Sequence, residues 1–278
     1  MQVTTSNAPA GGLRGDYSGA GDDYAVPQRW DDYSDAEHAL WRRLYQRQIR
    51  LMPGHACDAF LDALAGLDAA ARIPDFEHTS RALARASGWT LVAVPGLIPD
   101  LAFFRLLSER RFPVTRWLRE PAEFDYIVEP DVFHDFFGHV PMLFNPVFGD
   151  YMQAYGLGGL KAARLDALTM LARLYWYTVE FGLVADPHGL RIYGAGILSS
   201  GGEVLHALDS PGARRVPFDL ERVMRTGYHI DRYQDTYFVI ESFEQLFRES
   251  APDFEPIYAR VRALPVIAPD AGPREAAP

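Results

Sequence analysis

Apolar residues recur every three or four positions along the first third of the chain. The pattern is clearest in Ser34–Met52, where Ala36, Leu40 and Leu44 share one face. This spacing places the apolar side chains on a single stripe of an α-helix, which can then pack against a core. The same period predicts further helices, which span Ala56–Leu67, Glu77–Ala86, Leu101–Arg110, Asp131–Val140, Ala163–Val184 and Phe243–Ser250.

Short segments rich in β-branched and aromatic residues predict a few strands between the helices. They are Thr90–Val94, Arg191–Tyr193 and Tyr237–Ile240, and Gly, Pro or Asp residues bound them. We therefore expect a fold that is mainly α with a small β component. Arg173 and Glu180 interrupt the segment richest in apolar residues, so the sequence predicts no transmembrane helix.

The chain has no internal repeat and no internal linker rich in Pro, Gly or Ser, which favours one domain. Residues 1–29 lack the apolar region and the basic start of a secretory signal, and we expect a flexible tail there. Residues 265–278 are rich in Pro and Ala and predict a second flexible tail. We therefore expect residues 30–264 to form a single domain. No heptad pattern predicts an oligomerisation helix.

The composition narrows the class of partner and the cellular compartment. Among 278 residues there are 27 basic and 37 acidic ones, which gives a net charge of −10. Such a protein repels phosphate backbones and anionic membrane surfaces, so we expect small-molecule partners and neither nucleic acid nor membrane. The single cysteine, Cys57, excludes an intramolecular disulfide and a cysteine-rich zinc cluster, and it favours a cytoplasmic location.

A pair of histidines, His134 and His139, is the first candidate for chemistry. On an ideal α-helix a spacing of five residues turns the two rings about 140° apart, so they can share an ion only if the winding loosens between them. Gly138 and Pro141 are residues that allow this loosening. From the spacing alone, two core or surface histidines at a helix end remain the more common interpretation.

Glu180 is a candidate third ligand, because it is the single carboxylate in the apolar run Leu171–Val184. A buried carboxylate has to meet a cation, become protonated or bind a metal. Arg173 lies about 10 Å away along a helix, too far for a direct pair, although an arginine from another element remains open. Two histidines and a glutamate match the facial triad of non-haem iron(II) oxygenases, and they also suit a zinc hydrolase. A non-catalytic helical binding module without metal is a third possibility.

The glycine-rich segment Tyr193–Gly202 has neither the lysine nor the glycine spacing of a phosphate-binding loop. We expect a tight turn in which Ser199 or Ser200 caps the helix that begins near Glu203. The chain also lacks the G-x-S-x-G and H-E-x-x-H motifs, which argues against serine hydrolases and metalloproteases. Cys57 is predicted to be a packing residue on an amphipathic helix.

Three motifs together resemble the catalytic domain of the pterin-dependent aromatic amino acid hydroxylases. They are E-P-D-x-x-H-x4-H-x-P from Glu129, W-Y-T-V-E-F-G-L from Trp176 and I-Y-G-A-G-I-L-S-S from Ile192. The resemblance implies a monomeric iron(II) enzyme that uses dioxygen and tetrahydrobiopterin, or a related tetrahydropterin, to hydroxylate L-phenylalanine to L-tyrosine. Within the family, hydroxylation of tryptophan or tyrosine is the alternative. The resemblance does not distinguish a role in phenylalanine breakdown from a role in tyrosine biosynthesis.

The resemblance also implies site residues in this chain. The iron ligands of the family fall on His134, His139 and Glu180. The pterin contacts fall on Phe103, Asp135 and Tyr175. The substrate contacts fall on Arg119, Asp131, Trp176, Ser199 and Ile230.

Among these residues, Arg119 is implied to bind the substrate carboxylate while Asp131 holds it, a role that suits the planar guanidinium. Asp135 stands where relatives have a glutamate, so the contact with the pterin is one methylene shorter. Ile230 stands where tyrosine hydroxylases have an aspartate, which implies a preference for phenylalanine.

Overall fold

The fold is described from a computed structural model, in which residues 13–250 and 254–271 are placed. The α-helices of these residues are α1 (Asp35–Leu51), α2 (Asp58–Ala65), α3 (Phe76–Ala86), α4 (Asp100–Ser108), α5 (Pro146–Arg164), α6 (Leu168–Tyr175), α7 (Ala195–Leu198), α8 (Gly201–Asp209), α9 (Leu220–Arg225), α10 (Phe243–Ser250) and α11 (Glu255–Arg262). The strands are β1 (Thr90–Val94), β2 (Arg111–Thr115), β3 (Leu183–Asp186), β4 (Gly189–Ile192), β5 (Arg214–Pro217) and β6 (Thr236–Ile240). The prediction of a mainly α fold with a small β component is confirmed.

The strands form two small sheets. β1 and β2 pair in parallel, whereas the second sheet has the order β4-β3-β6-β5. Only the β3–β4 pair of this second sheet is antiparallel. Two further segments, His134–His139 and Trp176–Glu180, wind as π-helical turns, which we call the first and second π turns.

Helix α1 forms where the apolar period predicts a helix. Ser34 and Glu37 make reciprocal hydrogen bonds at its start, a capping box that satisfies backbone donors the helix leaves free. Leu40, Trp41 and Leu44 point into the core, where all three are at most 5% exposed. The capped start and the apolar stripe therefore set both the bounds and the packing of α1.

Helix α5 was not predicted, because its four glycines lower the helix propensity and interrupt the apolar period. The packing against α4 explains two of these glycines. A Cβ atom at Gly156 would lie 2.5 Å from the Ser108 backbone nitrogen, and one at Gly159 would overlap the Phe104 ring. The glycines thus let the two helices approach closely.

The prediction of one helix over Ala163–Val184 is wrong. The chain leaves α5 at Arg164, forms α6 and the second π turn, and then enters strand β3. A run that is apolar on all sides carries no periodicity that distinguishes helix from strand. Gly182 marks the break, because a side chain there would overlap the Tyr193 ring.

Two smaller predictions are confirmed. The Ser200 hydroxyl accepts a hydrogen bond from the Glu203 backbone N–H and so caps α8. Cys57 is 4% exposed and belongs to the core. Burial raises the pKa of its thiol to about 11, so the thiol stays protonated.

The described parts of both predicted tails contact the domain. The Tyr17 hydroxyl donates to the Leu97 carbonyl at 2.9 Å, and the Val26 N–H donates to the Ala93 carbonyl at 2.9 Å. Near the other end, Ile267 exchanges backbone hydrogen bonds with Arg225 and Gly227. The composition argument does not foresee these contacts, and residues 1–12 and 272–278 lie outside the described part. In the described ranges, no helix has the length and apolar character needed to cross a membrane.

Candidate active site

A cavity of about 930 Å³ lies between the two π turns, β2 and the segment that precedes β6. Ten of the eleven residues that the resemblance implies for the site line this cavity. The eleventh, Asp131, is fully buried and lies behind Arg119, to which it is hydrogen-bonded. The fold therefore brings together residues from positions 103 to 230 of the chain.

The first π turn brings the two histidine rings to the same side of the chain, which an ideal α-helix would not do. It begins at His134 and ends at His139, and a π-helix bonds residues five apart, so both side chains leave the same side. Their ring centroids lie 5.1 Å apart. Gly138 lets helix α7 approach this turn, because a Cβ atom there would lie 2.8 Å from the Ala195 carbonyl oxygen.

Glu180 ends the second π turn and faces both histidines. Its Oε2 lies 3.5 Å from His134 Nε2, and its Oε1 lies 3.3 Å from His139 Nε2. Arg173, the cation that is near in sequence, points elsewhere and donates to the Met224 carbonyl. The carboxylate is therefore placed between two imidazole nitrogens.

Ser199 orients the ring of His134. The Ser199 hydroxyl donates to the Ala195 carbonyl at 2.9 Å and lies 2.9 Å from His134 Nδ1. Since the hydroxyl proton is used toward the carbonyl, Nδ1 carries the imidazole proton and the lone pair is on Nε2. A hydrogen bond of this kind is how proteins commonly fix a metal-binding histidine.

The electrostatics of His134 and Glu180 match the protonation that a metal requires. Burial lowers the pKa of His134 to about 4, so its imidazole is neutral at pH 7. Burial raises the pKa of Glu180, but the neighbouring imidazoles of His139 and His134 outweigh this and hold it below its ordinary value. A neutral imidazole and an ionised carboxylate are the forms that bind a metal ion.

Asp135 is a second carboxylate close to the two histidines. One of its oxygens lies within 4.8 Å of a nitrogen on each ring, so distance alone does not exclude it as a ligand. Its Oδ2, however, accepts a hydrogen bond from the Thr115 backbone N–H at 2.7 Å. Glu180 presents one oxygen to each Nε2 atom, and this makes the His134–His139–Glu180 set the better fit to a divalent metal such as iron(II).

Arg119 and Asp131 form a buried, bidentate ion pair. Arg119 Nε donates to Asp131 Oδ2 at 2.8 Å, and Nη2 donates to Oδ1 at 2.9 Å. Burial raises the pKa of Asp131, but the Arg119 guanidinium and backbone donors outweigh it, and the net pKa is lowered. Because Arg119 also lines the cavity, its charge is available to an anionic group there.

An aromatic wall borders the cavity on the side of α4. The Phe103 ring lies 5.8 Å from the Tyr175 ring in an edge-on arrangement and is partly exposed to the cavity. The adjacent Phe104 is fully buried and packs on Tyr155, so Phe103 is the one available for stacking. Burial raises the pKa of the nearby Asp135 to about 6.

Trp176 and Ile230 border the opposite side of the cavity. The Trp176 ring stacks on Tyr228 with centroids 4.2 Å apart and an interplanar angle of 14°. Ile230 lies at the mouth and is 49% exposed, so it forms a less closed wall than a core residue would.

The structure adds residues that the sequence does not single out. The Phe112 ring lies 5.1 Å from the His139 ring, and Tyr126 donates a hydrogen bond to the Ile230 carbonyl across the mouth. Gln234 is 2% exposed and hydrogen-bonds to Trp176. Phe112 lies in a strand that has no alternating pattern, and nothing local marks Gln234, so neither had a signal in the sequence.

Comparison with known proteins agrees with these features. Residues 24–254 match the family model described as biopterin-dependent aromatic amino acid hydroxylase. A phenylalanine-4-hydroxylase of Chromobacterium violaceum is 59% identical over 253 residues, which are 90% of this chain and 85% of the relative. A phenylalanine-4-hydroxylase of Ralstonia nicotianae is 58% identical over 246 residues, which are 88% of this chain and 79% of the relative.

Solved structures of similar proteins have the same fold. A crystal structure of Chromobacterium violaceum phenylalanine hydroxylase with bound iron and phenylalanine has a TM-score of 0.88 and 55% sequence identity, over 95% of each chain. A cobalt-bound structure of that protein has a TM-score of 0.89 and 56% identity, over 91% of this chain and 92% of that one.

Proposed function

The chain belongs to the biopterin-dependent aromatic amino acid hydroxylase family, and we infer that it hydroxylates L-phenylalanine to L-tyrosine with dioxygen, iron(II) and a tetrahydropterin. The similar bacterial proteins are phenylalanine-4-hydroxylases, and one of them has been crystallised with iron and phenylalanine. Iron and tetrahydropterin, when bound, together supply the electrons that activate dioxygen. The protein supplies position, orientation and a site from which water is excluded.

His134, His139 and Glu180 hold the iron in this proposal. The observation that carries it is the placement of Glu180 between the Nε2 atoms of the two histidines, inside the cavity. Three protein ligands leave other coordination positions open, as a facial triad requires. Ser199 orients one of these ligands. Its hydroxyl keeps the imidazole proton on His134 Nδ1, so the lone pair on Nε2 faces the metal.

Arg119 binds the carboxylate of the amino acid substrate, and Asp131 holds the guanidinium in place. The two hydrogen bonds to Asp131 fix the guanidinium, so little side-chain entropy is lost when the carboxylate binds. Trp176, Ser199 and Ile230 then border the rest of the substrate. This arrangement orients the substrate ring toward the metal site.

Phe103, Tyr175 and Asp135 form the side of the cavity that receives the pterin. An aromatic face such as that of Phe103 suits a flat heterocycle, because offset stacking is favourable at ring distances of about 4.5–7 Å. Asp135 is held by the Thr115 backbone N–H and directs its carboxylate toward the same side. No protein acid or base has to transfer a proton in this scheme.

Product analysis tests the assignment. The purified protein, reconstituted with iron(II) or in parallel with zinc, is supplied with a tetrahydropterin, dioxygen and either phenylalanine, tyrosine or tryptophan. We expect tyrosine from phenylalanine in the iron sample only. Absence of tyrosine contradicts the function, and equally efficient hydroxylation of tyrosine or tryptophan contradicts the choice of substrate. Tyrosine formation with zinc in place of iron contradicts the assignment of iron as the metal.

The domain limits and the location are part of the same proposal. Residues 30–264 form the catalytic domain, a range that the family match over 24–254 supports. The enzyme works as a monomer in the cytoplasm, where a reducing environment suits a chain whose lone cysteine is a protonated, buried thiol.

A further inference from the structure

A buried glutamine, Gln234, connects two segments of the chain that border the same side of the cavity. Its Oε1 accepts a hydrogen bond from Trp176 Nε1–H at 3.0 Å. Its Nε2 donates to the His229 carbonyl at 2.9 Å and to the Arg232 carbonyl at 3.3 Å. The side-chain amide therefore has partners on both its oxygen and its nitrogen.

The backbone of Gln234 is fixed as well. Its N–H donates to Glu203 Oε1 at 3.0 Å, and its carbonyl accepts from His206 Nε2 at 3.1 Å. The same Glu203 oxygen accepts a hydrogen bond from the Tyr237 hydroxyl at 2.7 Å. Glu203 is 5% exposed, so these bonds lie in a region of low dielectric where each is costly to break.

The groups that Gln234 holds are the ones that shape one end of the cavity. Trp176 stacks on Tyr228 at 4.2 Å and packs at a tilted angle against Phe181 at 4.7 Å, and all three residues line the cavity. The carbonyls of His229 and Arg232 flank Ile230 in the chain, so the segment that presents Ile230 is tied down on both sides.

We infer that Gln234 is a positioning residue that sets the width of the pocket for the substrate ring, an assignment that rests on the proposed function. It does so by fixing the rotamer of Trp176 and the path of residues 228–233. Without these bonds the indole N–H loses its partner and the segment gains freedom, so the pocket widens. Arg119, His134 and His139 lie on other elements than Trp176. Glu180 shares the second π turn with Trp176, but its carboxylate faces His134 and His139.

Replacement of Gln234 by methionine removes the side-chain hydrogen bonds at nearly constant volume. For Gln234→Met we expect the KM for phenylalanine to rise about fivefold or more. We also expect the ratio of kcat/KM for tryptophan to that for phenylalanine to rise about fivefold or more, since the pocket excludes an indole less well. Iron content and the KM for the tetrahydropterin should stay within about twofold, because those contacts lie elsewhere.

Gln153 offers a matched control. It is a partly buried glutamine on α5 whose amide also has two partners, Arg110 Nε and the Ser108 carbonyl, but it does not line the cavity. Gln153→Met should lower the melting temperature while leaving the substrate ratio unchanged. A general loss of stability, which lowers the active fraction and hence the apparent kcat, is thereby separated from a change in substrate selection.

An active Gln234→Met protein in which neither the phenylalanine KM nor the tryptophan-to-phenylalanine ratio changes beyond about twofold contradicts the inference. If this variant does not fold, Gln234→Asn replaces it. Its side chain is one methylene shorter and cannot reach the same partners, so the same two shifts are expected and their absence is equally contradictory. A wild-type protein that forms no tyrosine contradicts the proposed function instead.

Discussion

His134 and His139 are the first and last residues of a single π-helical turn, and their rings lie 5.1 Å apart with an interplanar angle of 85°. The wider winding is what allows a spacing of five to serve one metal ion. Glu180 also lies at the end of a π turn. Two local departures from α-helical winding therefore build the candidate metal site, in line with the frequent occurrence of such turns at functional sites.

Arg119 is predicted to bind the substrate carboxylate. Its replacement by alanine should cost about 2–4 kcal/mol of phenylalanine binding, or about a 30- to 1000-fold rise in KM, because charge-assisted bidentate bonds are strong. The protein should also lose stability, since Asp131 is fully buried and would have no cation. Steady-state kinetics and chemical denaturation measure the two effects. Arg119→Lys is the companion variant, because it keeps the positive charge but lacks the planar guanidinium that makes two parallel hydrogen bonds. An unchanged KM in Arg119→Ala would count decisively against the role.

Ile230 is predicted to favour phenylalanine over tyrosine. A tyrosine hydroxyl at Ile230 exchanges water for an apolar wall, which costs about 1–3 kcal/mol when the wall is closed. Because Ile230 is 49% exposed, we expect the lower end, about fivefold in kcat/KM. Ile230→Asp should bring the ratio of the two substrates close to one. Leu205→Asp is the control, since Leu205 is 45% exposed but does not line the cavity. Equal use of tyrosine by the wild type would show that Ile230 does not select.

The pKa of Glu203 predicts how stability depends on pH. Burial raises this pKa to about 7, so the folded protein holds the proton more tightly than the unfolded chain does. The resulting stabilisation is complete below the ordinary pKa of a glutamate and is lost as the pH rises toward 7, at up to about 1.4 kcal/mol per pH unit. In Glu203→Gln the amide oxygen can still accept the hydrogen bond from the Gln234 N–H. Because this side chain does not titrate, the variant should not lose stability in this way as the pH rises.

Urea denaturation at several values between about pH 5 and pH 7 measures this difference. The free energy of unfolding of Glu203→Gln should increase relative to that of the wild type as the pH rises. Glu244→Gln, a change at an exposed site on α10, should run parallel to the wild type. Parallel curves for Glu203→Gln and the wild type would refute the raised pKa.

Two glycines of α5 predict opposite effects of the same substitution. Gly156→Ala should destabilise the protein by about 1–3 kcal/mol, because the new Cβ atom would meet the α4 backbone at 2.5 Å. Gly158→Ala should stabilise it by up to about 1 kcal/mol, since nothing lies within 4 Å of that Cβ and alanine favours the helix. Thermal and chemical denaturation of both variants test the pair. Equal effects would mean that α4 and α5 are not packed as described.

The sequence contained most of the candidate site and less of the fold. The motifs around His134, Trp176 and Ile192 identified the family, and the apolar period placed α1 to within one residue at each end. Strand β5, over Arg214–Pro217, has no alternating pattern and no run of apolar residues, so only its pairing with β6 reveals it. Gln234 likewise acts through contacts with residues that are distant in sequence, and such contacts leave no local signal.

The central claim is that His134, His139 and Glu180 together hold one catalytic iron. The most direct test is the iron content of the purified, reconstituted protein, measured beside phenylalanine hydroxylation, in the wild type, His139→Ala, Glu180→Gln and the control His188→Ala, which changes an exposed histidine. We predict about one iron per chain with activity in the wild type and the control, and loss of both in the two ligand variants without loss of the fold. Full iron content and activity in either ligand variant would contradict the claim.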